Sequence, residues 1–132
     1  MPTVLVVDDD PALRLTLRRL LEKAGVEVEE AADGDEAMRL FRARRPDLVI
    51  CDVVMPYVDG LRTIMTMRRL APAAKIIAIS GGGRSKAMDL LAAARQMGAD
   101  HALVKPIEKS QIALIVDFCG RDPGPSPSPR LP

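Results

Sequence analysis

Four places in this chain of 132 residues carry side chains suited to chemistry, and each falls where an apolar run stops. Thr3 to Val7 (TVLVV) runs into Asp8, Asp9 and Asp10, and Leu48 to Cys51 (LVIC) runs into Asp52. Lys75 to Ile79 (KIIAI) ends at Ser80 and Gly81 to Gly83, and His101 to Val104 ends at Lys105-Pro106. Taken singly these are ordinary: acids after a strand cap helices, a serine before glycines makes a turn, and a lysine before proline stands in a loop. Asp10 reads as a cap and nothing more. Brought to one sheet edge, the others define a site of three carboxylates, Asp8, Asp9 and Asp52, a hydroxyl and one ammonium. Carboxylates about 4–6 Å apart repel by roughly 3–4 kcal/mol per pair at an effective dielectric of about 20. Lys105 offsets one charge, and a hard divalent cation, Mg²⁺ or Mn²⁺, is expected to offset the others, since only oxygen ligands are at hand. An aspartate in such surroundings can act as the nucleophile and become an aspartyl phosphate, its charge met by the lysine, the hydroxyl and the metal.

The segments between these sites have helical period. Asp10 and Pro11 read as N-cap and first position of a helix with Leu13, Leu17, Leu20, Leu21 and Ala24 on one face, and Gly25 as its left-handed stop. Val26 to Glu30 alternates apolar and acidic residues, as an edge strand does. Asp33 and Glu36 resemble a capping box for a helix with Ala37, Leu40 and Phe41 inside, closed by Pro46. Leu61, Ile64 and Met65 open a third helix. Ala87, Leu90, Leu91, Ala94 and Met97 mark a fourth, stopped by Gly98. Ile112, Ile115, Val116 and Cys119 line a short fifth. Five strands alternating with five helices, the inner strands apolar throughout, predict a doubly wound five-stranded parallel sheet covered on both faces. In such sheets ligands gather outside the carboxyl ends of the strands, where the four sites lie.

Composition narrows the function further. The chain has 19 Lys and Arg against 18 Asp and Glu, a formal net charge of +1, so it lacks the basic excess of a nucleic-acid coat. No apolar run is long enough to span a membrane, no secretory leader pattern opens the chain, and a cytoplasmic location is expected. One His and two Cys, Cys51 and Cys119, do not make a structural zinc site, and Cys51 reads as a buried reduced thiol. Aromatic content of 2% leaves almost nothing on which bases or flavins could stack. After residue 119 the composition turns to Pro, Ser, Gly and Arg, so 120–132 is expected to be a tail or linker that buries no core.

The ordered set VLVVDDD, CDVVMP, AISGG and LVKP resembles the bacterial two-component response-regulator receiver domain, over roughly residues 3–119. The resemblance implies the flavodoxin-like (βα)5 fold with strand order 2-1-3-4-5. It makes Asp52 the phosphoacceptor, attacking a phosphohistidine on a histidine kinase or histidine phosphotransfer protein, with the domain catalysing its own phosphorylation and dephosphorylation. It implies that Asp9 holds Mg²⁺ directly and Asp8 mainly through water, with Asp52 and the main-chain carbonyl of Val54 completing the protein ligands. Ser80 would hydrogen-bond the phosphoryl group and Lys105 would pair with it, through a Lys-Pro bond that is usually cis in the family. Gly81 matches a preference for a small residue beside the site, and the Gly81–Gly83 loop would absorb the movement of the switch. The chain departs from the pattern at Ala102, where an aromatic switch residue is common, at Ile107, and at Tyr57-Val58 before Asp-Gly.

Other functions fit less well. A flavodoxin would need a phosphate loop and aromatic walls, and an aspartate-nucleophile phosphatase would want an acid where Val54 stands. GGGRSK lacks the spacing of a P-loop. The tail is too short for a DNA-binding output module, so a stand-alone receiver that signals to a downstream protein through phosphorylation-dependent contacts is expected; a receiver that binds partners without phosphorylation, and a receiver cut from a longer hybrid kinase, are the alternatives. Arg14, Arg18 and Arg19 on the first helix are read as either a partner-binding face or a solvated one.

Overall fold

The computed structural model describes residues 2–54, 60–81 and 84–120, and of 84–87 the backbone alone. Five strands, β1 (Thr3–Val7), β2 (Glu27–Ala31), β3 (Leu48–Asp52), β4 (Ile76–Ser80) and β5 (His101–Val104), alternate with α1 (Pro11–Lys23), α2 (Gly34–Arg44), α3 (Gly60–Leu70), α4 (Arg84–Met97) and α5 (Lys109–Gly120). All neighbouring strands are parallel, in the order β2-β1-β3-β4-β5. This is the expected doubly wound α/β fold.

Period-2 alternation divides each inner strand between two cores. Leu5, Val7, Val49, Cys51, Ile76 and Ala78 face Phe41 of α2, Ile64 and Met67 of α3, and Leu91 and Ala94 of α4. Val4, Val6, Leu48, Ile50, Ile77 and Ile79 face Leu17 and Leu21 of α1 and Ile112, Ile115 and Cys119 of α5. Every residue of β3 and β4 is buried, as strands covered on both faces require.

The helix ends follow their local chemistry. The Asp10 carboxylate accepts from the N–H groups of Ala12 and Leu13, a cap worth about 1 kcal/mol. The Asp33 carboxylate accepts from the Glu36 N–H at 2.8 Å, while Glu36 reaches back to the N–H of Ala32 rather than to that of the capping residue. Gly25 and Gly98 have φ of +91° and +128°, the left-handed stops expected after α1 and α4.

Several details differ from expectation. β2 and β4 each lie one residue further along than the apolar pattern suggests: main-chain pairing continues past Glu30 to the buried Ala31 in β2, and past the last apolar residue to Ser80 in β4. Met67, not Met65, is the buried methionine of α3, and Ala24, the C-cap of α1, and Met97, the last residue of α4, are exposed. α5 continues to Gly120. Met55-Pro56, Tyr57-Val58, Gly82-Gly83 and the chain from 121 onward lie outside the described residues.

Candidate functional site

Parallel pairing puts the carboxyl ends of β1, β3, β4 and β5 along one edge of the sheet, and the polar residues following them converge there. Val7 sits opposite Cys51, Asp52 opposite Ile79, and Ser80 opposite Val104. One carboxylate oxygen from each of Asp8, Asp9 and Asp52 lies within 4.8 Å of the others. Asp8 and Ser80 are wholly buried and Asp52 is 3% exposed, whereas Asp9 faces solvent.

The Lys105 ammonium spans this cluster, 3.0 Å from Asp8 Oδ2 and 3.3 Å from Asp52 Oδ2. The other Asp52 oxygen accepts the Val54 N–H at 3.0 Å, and Asp8 Oδ1 accepts the Asp10 N–H at 2.9 Å. Asp8 Oδ2 is buried and no hydrogen bond of sound geometry reaches it, although the ammonium is close. An all-oxygen cluster with a buried acceptor atom left over suits a hard divalent cation, and Asp8, Asp9 and Asp52 are the side chains that could hold it.

The electrostatics bear the marks of crowding. Burial pushes the Asp8 carboxyl above the usual carboxylate range, the Asp10 amide and Lys105 pull against it, and the neighbouring Asp52 adds to the rise. Burial also opposes the charge on Lys105, but Asp8 and Asp52 outweigh it and hold the ammonium above the ordinary lysine value.

Ser80 closes β4 beside this group. Its hydroxyl donates to the Gly81 carbonyl at 3.3 Å, and its own carbonyl accepts the Lys105 N–H at 2.8 Å, which ties β4 to the base of the lysine. A side chain at Gly81 would begin 3.2 Å from Lys105 Cδ, so glycine there lets the lysine stem lie flat toward the acids. The Lys105–Pro106 peptide bond is cis, as the resemblance implies. The structure thus brings together Asp8, Asp9, Asp52 and Lys105 and sets Ser80 next to them in the sheet. Val54 is held through its N–H.

Two features of the site were not anticipated. Gly60, the first residue of α3, packs on the main chain of Asp52: a Cβ there would lie 2.0 Å from the Asp52 carbonyl oxygen. Asp59-Gly60 reads locally as a turn signal, and nothing nearby in sequence points to β3. Arg14 donates from Nη1 to the Asp8 carbonyl at 2.7 Å and is not a free surface cation. Arg14 and Arg18 are both paired with Glu30; Arg14 is largely covered and so is not part of a solvated face, whereas Arg18 and Arg19 keep their side chains in solvent. His101 stands edge-on to Phe118, ring centroids 4.7 Å apart, and Ala102 packs against the core on the α4 side.

A parallel 2-1-3-4-5 sheet with an acid cluster and a lysine at its carboxyl edge defines a receiver, and the comparisons agree. The sequence model of the response regulator receiver domain matches residues 4–117, and the chain belongs to that family. The chemotaxis protein CheY of Thermotoga maritima is 36% identical over 110 residues, covering 83% of this chain and 89% of CheY. Protein CcdB of Bacillus subtilis is 34% identical over 113 residues, covering 85% of this chain and 92% of its own. The crystal structure of the response regulator TrrA of Thermotoga maritima, in complex with Mg²⁺-BeF, superposes with a TM-score of 0.78 at 32% identity, covering 90% of this chain and 99% of TrrA. Among the described residues no helix is long and apolar enough to cross a membrane.

Proposed function

We propose that this receiver accepts a phosphoryl group on Asp52 in a Mg²⁺-dependent reaction and signals through protein contacts that depend on it. The observation that carries this is Asp52 itself, almost buried, with one oxygen 3.3 Å from the Lys105 ammonium and the other held by the Val54 N–H. Its carboxylate attacks the phosphorus of a phosphohistidine on a histidine kinase or phosphotransfer protein. A P–O bond forms as the P–N bond breaks, and the imidazole leaves with the electron pair and takes up a proton. Asp8, Asp9, Asp52 and the Val54 carbonyl are the groups that would hold the magnesium ion, whose charge would offset that of the incoming phosphoryl group. Lys105 supplies a second positive charge, and the Ser80 hydroxyl a hydrogen bond to a phosphoryl oxygen.

Modification adds charge and three acceptor oxygens at Asp52, and new partners for Ser80 and Lys105 pull the ends of β4 and β5 inward. The downstream partner is a protein, and the reaction takes place in the cytoplasm. Acetyl phosphate with Mg²⁺ should add one phosphoryl mass to the chain, and Asp52→Asn should abolish that addition. Full labelling of the variant would move the role to another residue. A wild type that takes up no phosphoryl group yet binds its partner would favour a phosphorylation-independent binding module.

A further inference from the structure

We propose that Arg14 is a positioning residue for the acidic cradle: held by Glu30, it fixes the Asp8–Asp9 peptide and thereby the placement of both carboxylates toward a divalent cation. The inference rests on the cation-holding role given above to Asp8 and Asp9. Arg14 stands one turn into α1, and its guanidinium makes two bonds from one planar fork. Nη1 donates to the Asp8 carbonyl at 2.7 Å, and Nε donates to Glu30 Oε1 at 3.0 Å. Glu30 is in turn held by Arg18 Nη1 through its second oxygen at 2.8 Å. Arg18, with Arg14 in support, keeps the Glu30 carboxyl below the usual range despite partial burial, so the brace stays charged.

The bonded carbonyl belongs to the peptide joining Asp8 to Asp9, so its orientation governs where both side chains depart. The N–H on the other side of Asp8 is tied to the Ala31 carbonyl at 3.1 Å, the end of β2. Both faces of Asp8's backbone are therefore anchored to β2, one directly and one through Arg14 and Glu30. Loss of a group that orients a metal ligand from behind typically costs about ten- to a hundredfold in metal affinity. Lysine cannot replace this fork, because one ammonium does not reach a carboxylate and a carbonyl in a fixed plane.

At Arg14 charge and position pull in opposite directions, which makes the inference decidable there; at Glu30 the loss of a negative charge would by itself weaken cation binding. A guanidinium close to the cradle repels a cation, so if charge alone mattered, its removal would tighten Mg²⁺ binding. If position matters, removal loosens it. The test is calorimetric titration of the full chain with Mg²⁺, alongside melting of the metal-free protein, for wild type, Arg14→Met, Arg14→Lys and Glu30→Gln. Arg14→Met should weaken Mg²⁺ binding by about tenfold, Arg14→Lys and Glu30→Gln by less but in the same direction. Labelling of Arg14→Met by acetyl phosphate should recover as Mg²⁺ is raised, at a temperature where its metal-free melting curve shows the variant fully folded, so that linkage to folding does not account for the recovery. Binding by Arg14→Met as tight as wild type, or tighter, overturns the inference while leaving Asp52 as phosphoacceptor. If Arg14→Met does not fold, unchanged affinity in both Arg14→Lys and Glu30→Gln overturns it equally. A wild type that binds no Mg²⁺ at all refutes instead the cation role of the acids, and this inference with it.

Discussion

Replacing Asp8 by asparagine removes one of the two carboxylates that share the Lys105 ammonium, and the sign of its effect depends on whether a cation is present. With oxygens within 4.8 Å of each other, Asp8 and Asp52 repel by about 3.5 kcal/mol at an effective dielectric of about 20. Lys105, 3.0 Å from Asp8, returns about 5.5 kcal/mol on the same scale. Taking the wholly buried Asp8 carboxylate out of water costs several kcal/mol more. The balance favours a neutral side chain by about 1–2 kcal/mol, in keeping with the upward displacement of Asp8's pKa. Metal-free Asp8→Asn should therefore melt about 3–6 °C above wild type. Magnesium at ten times its Kd should raise wild type by about 1.4 kcal/mol through linkage, and the variant by much less. The order of the two melting temperatures then narrows or reverses as Mg²⁺ is added.

Acidification supplies a second readout from the same pair. Only the ionised form of Asp8 is penalised by folding, so the penalty is complete above Asp8's raised folded value. It fades as pH falls through Asp8's raised folded value, and is gone below the unfolded value near 3.8. The gap between metal-free variant and wild type should close over that window in differential scanning calorimetry. A metal-free variant that melts below wild type, or a gap that widens on acidification, would refute the account of the site as an overcrowded acid cluster.

Three further outcomes follow from particular contacts. Gly60→Ala places a methyl group 2.0 Å from the Asp52 carbonyl oxygen and 2.6 Å from Val53 Cα, main-chain atoms that cannot rotate aside, so urea unfolding should show a loss of about 3 kcal/mol or more; an unchanged midpoint would mean α3 is free to shift. Arg68 donates to the carbonyls of Pro72, Ala74 and Gly98 and pairs with Asp100 at 2.9 Å. Arg68→Ala should cost about 2–4 kcal/mol in the same assay, with acetyl phosphate labelling of the folded protein retained. The stability that Lys105 draws from its two acids is fully present below about 10.5 and is lost as pH rises through its higher folded value. Lys105→Met should accordingly remove that part of the alkaline limb of a melting-temperature profile, and an unaltered limb would show that the ammonium does not depend on Asp8 and Asp52.

Much of this protein can be read locally. The strands are legible because β-branched runs such as LVIC and KIIAI end abruptly at polar residues, and the helix starts because Asp10 and Asp33 precede amphipathic segments. Edge strand β2 is also visible, since Val28 points inward while Glu29 and Glu30 are only partly covered. The boundaries slip by a residue where hydrogen-bonded pairing outlasts the apolar pattern, and the choice between Met65 and Met67 depends on the angle at which α3 meets the sheet. Arg14 and Arg18 show why surface charge is hard to interpret from sequence: they sit at solvent-face spacing on α1, and their partner Glu30 comes from a strand 12 to 16 residues away.

The alternation of elements, the parallel sheet and the identity of the acids, hydroxyl and amine at its carboxyl edge are legible in the primary structure. These depend on side-chain period and on where each apolar run stops, which are properties of contiguous chain. That one ammonium bridges Asp8 and Asp52, that Gly60 lies against the Asp52 carbonyl, and that Arg14 reaches the main chain of Asp8 emerges only in the folded chain. Those contacts join residues from different layers of the fold, and their distances follow from helix tilt and strand twist, which are set by packing the whole core at once.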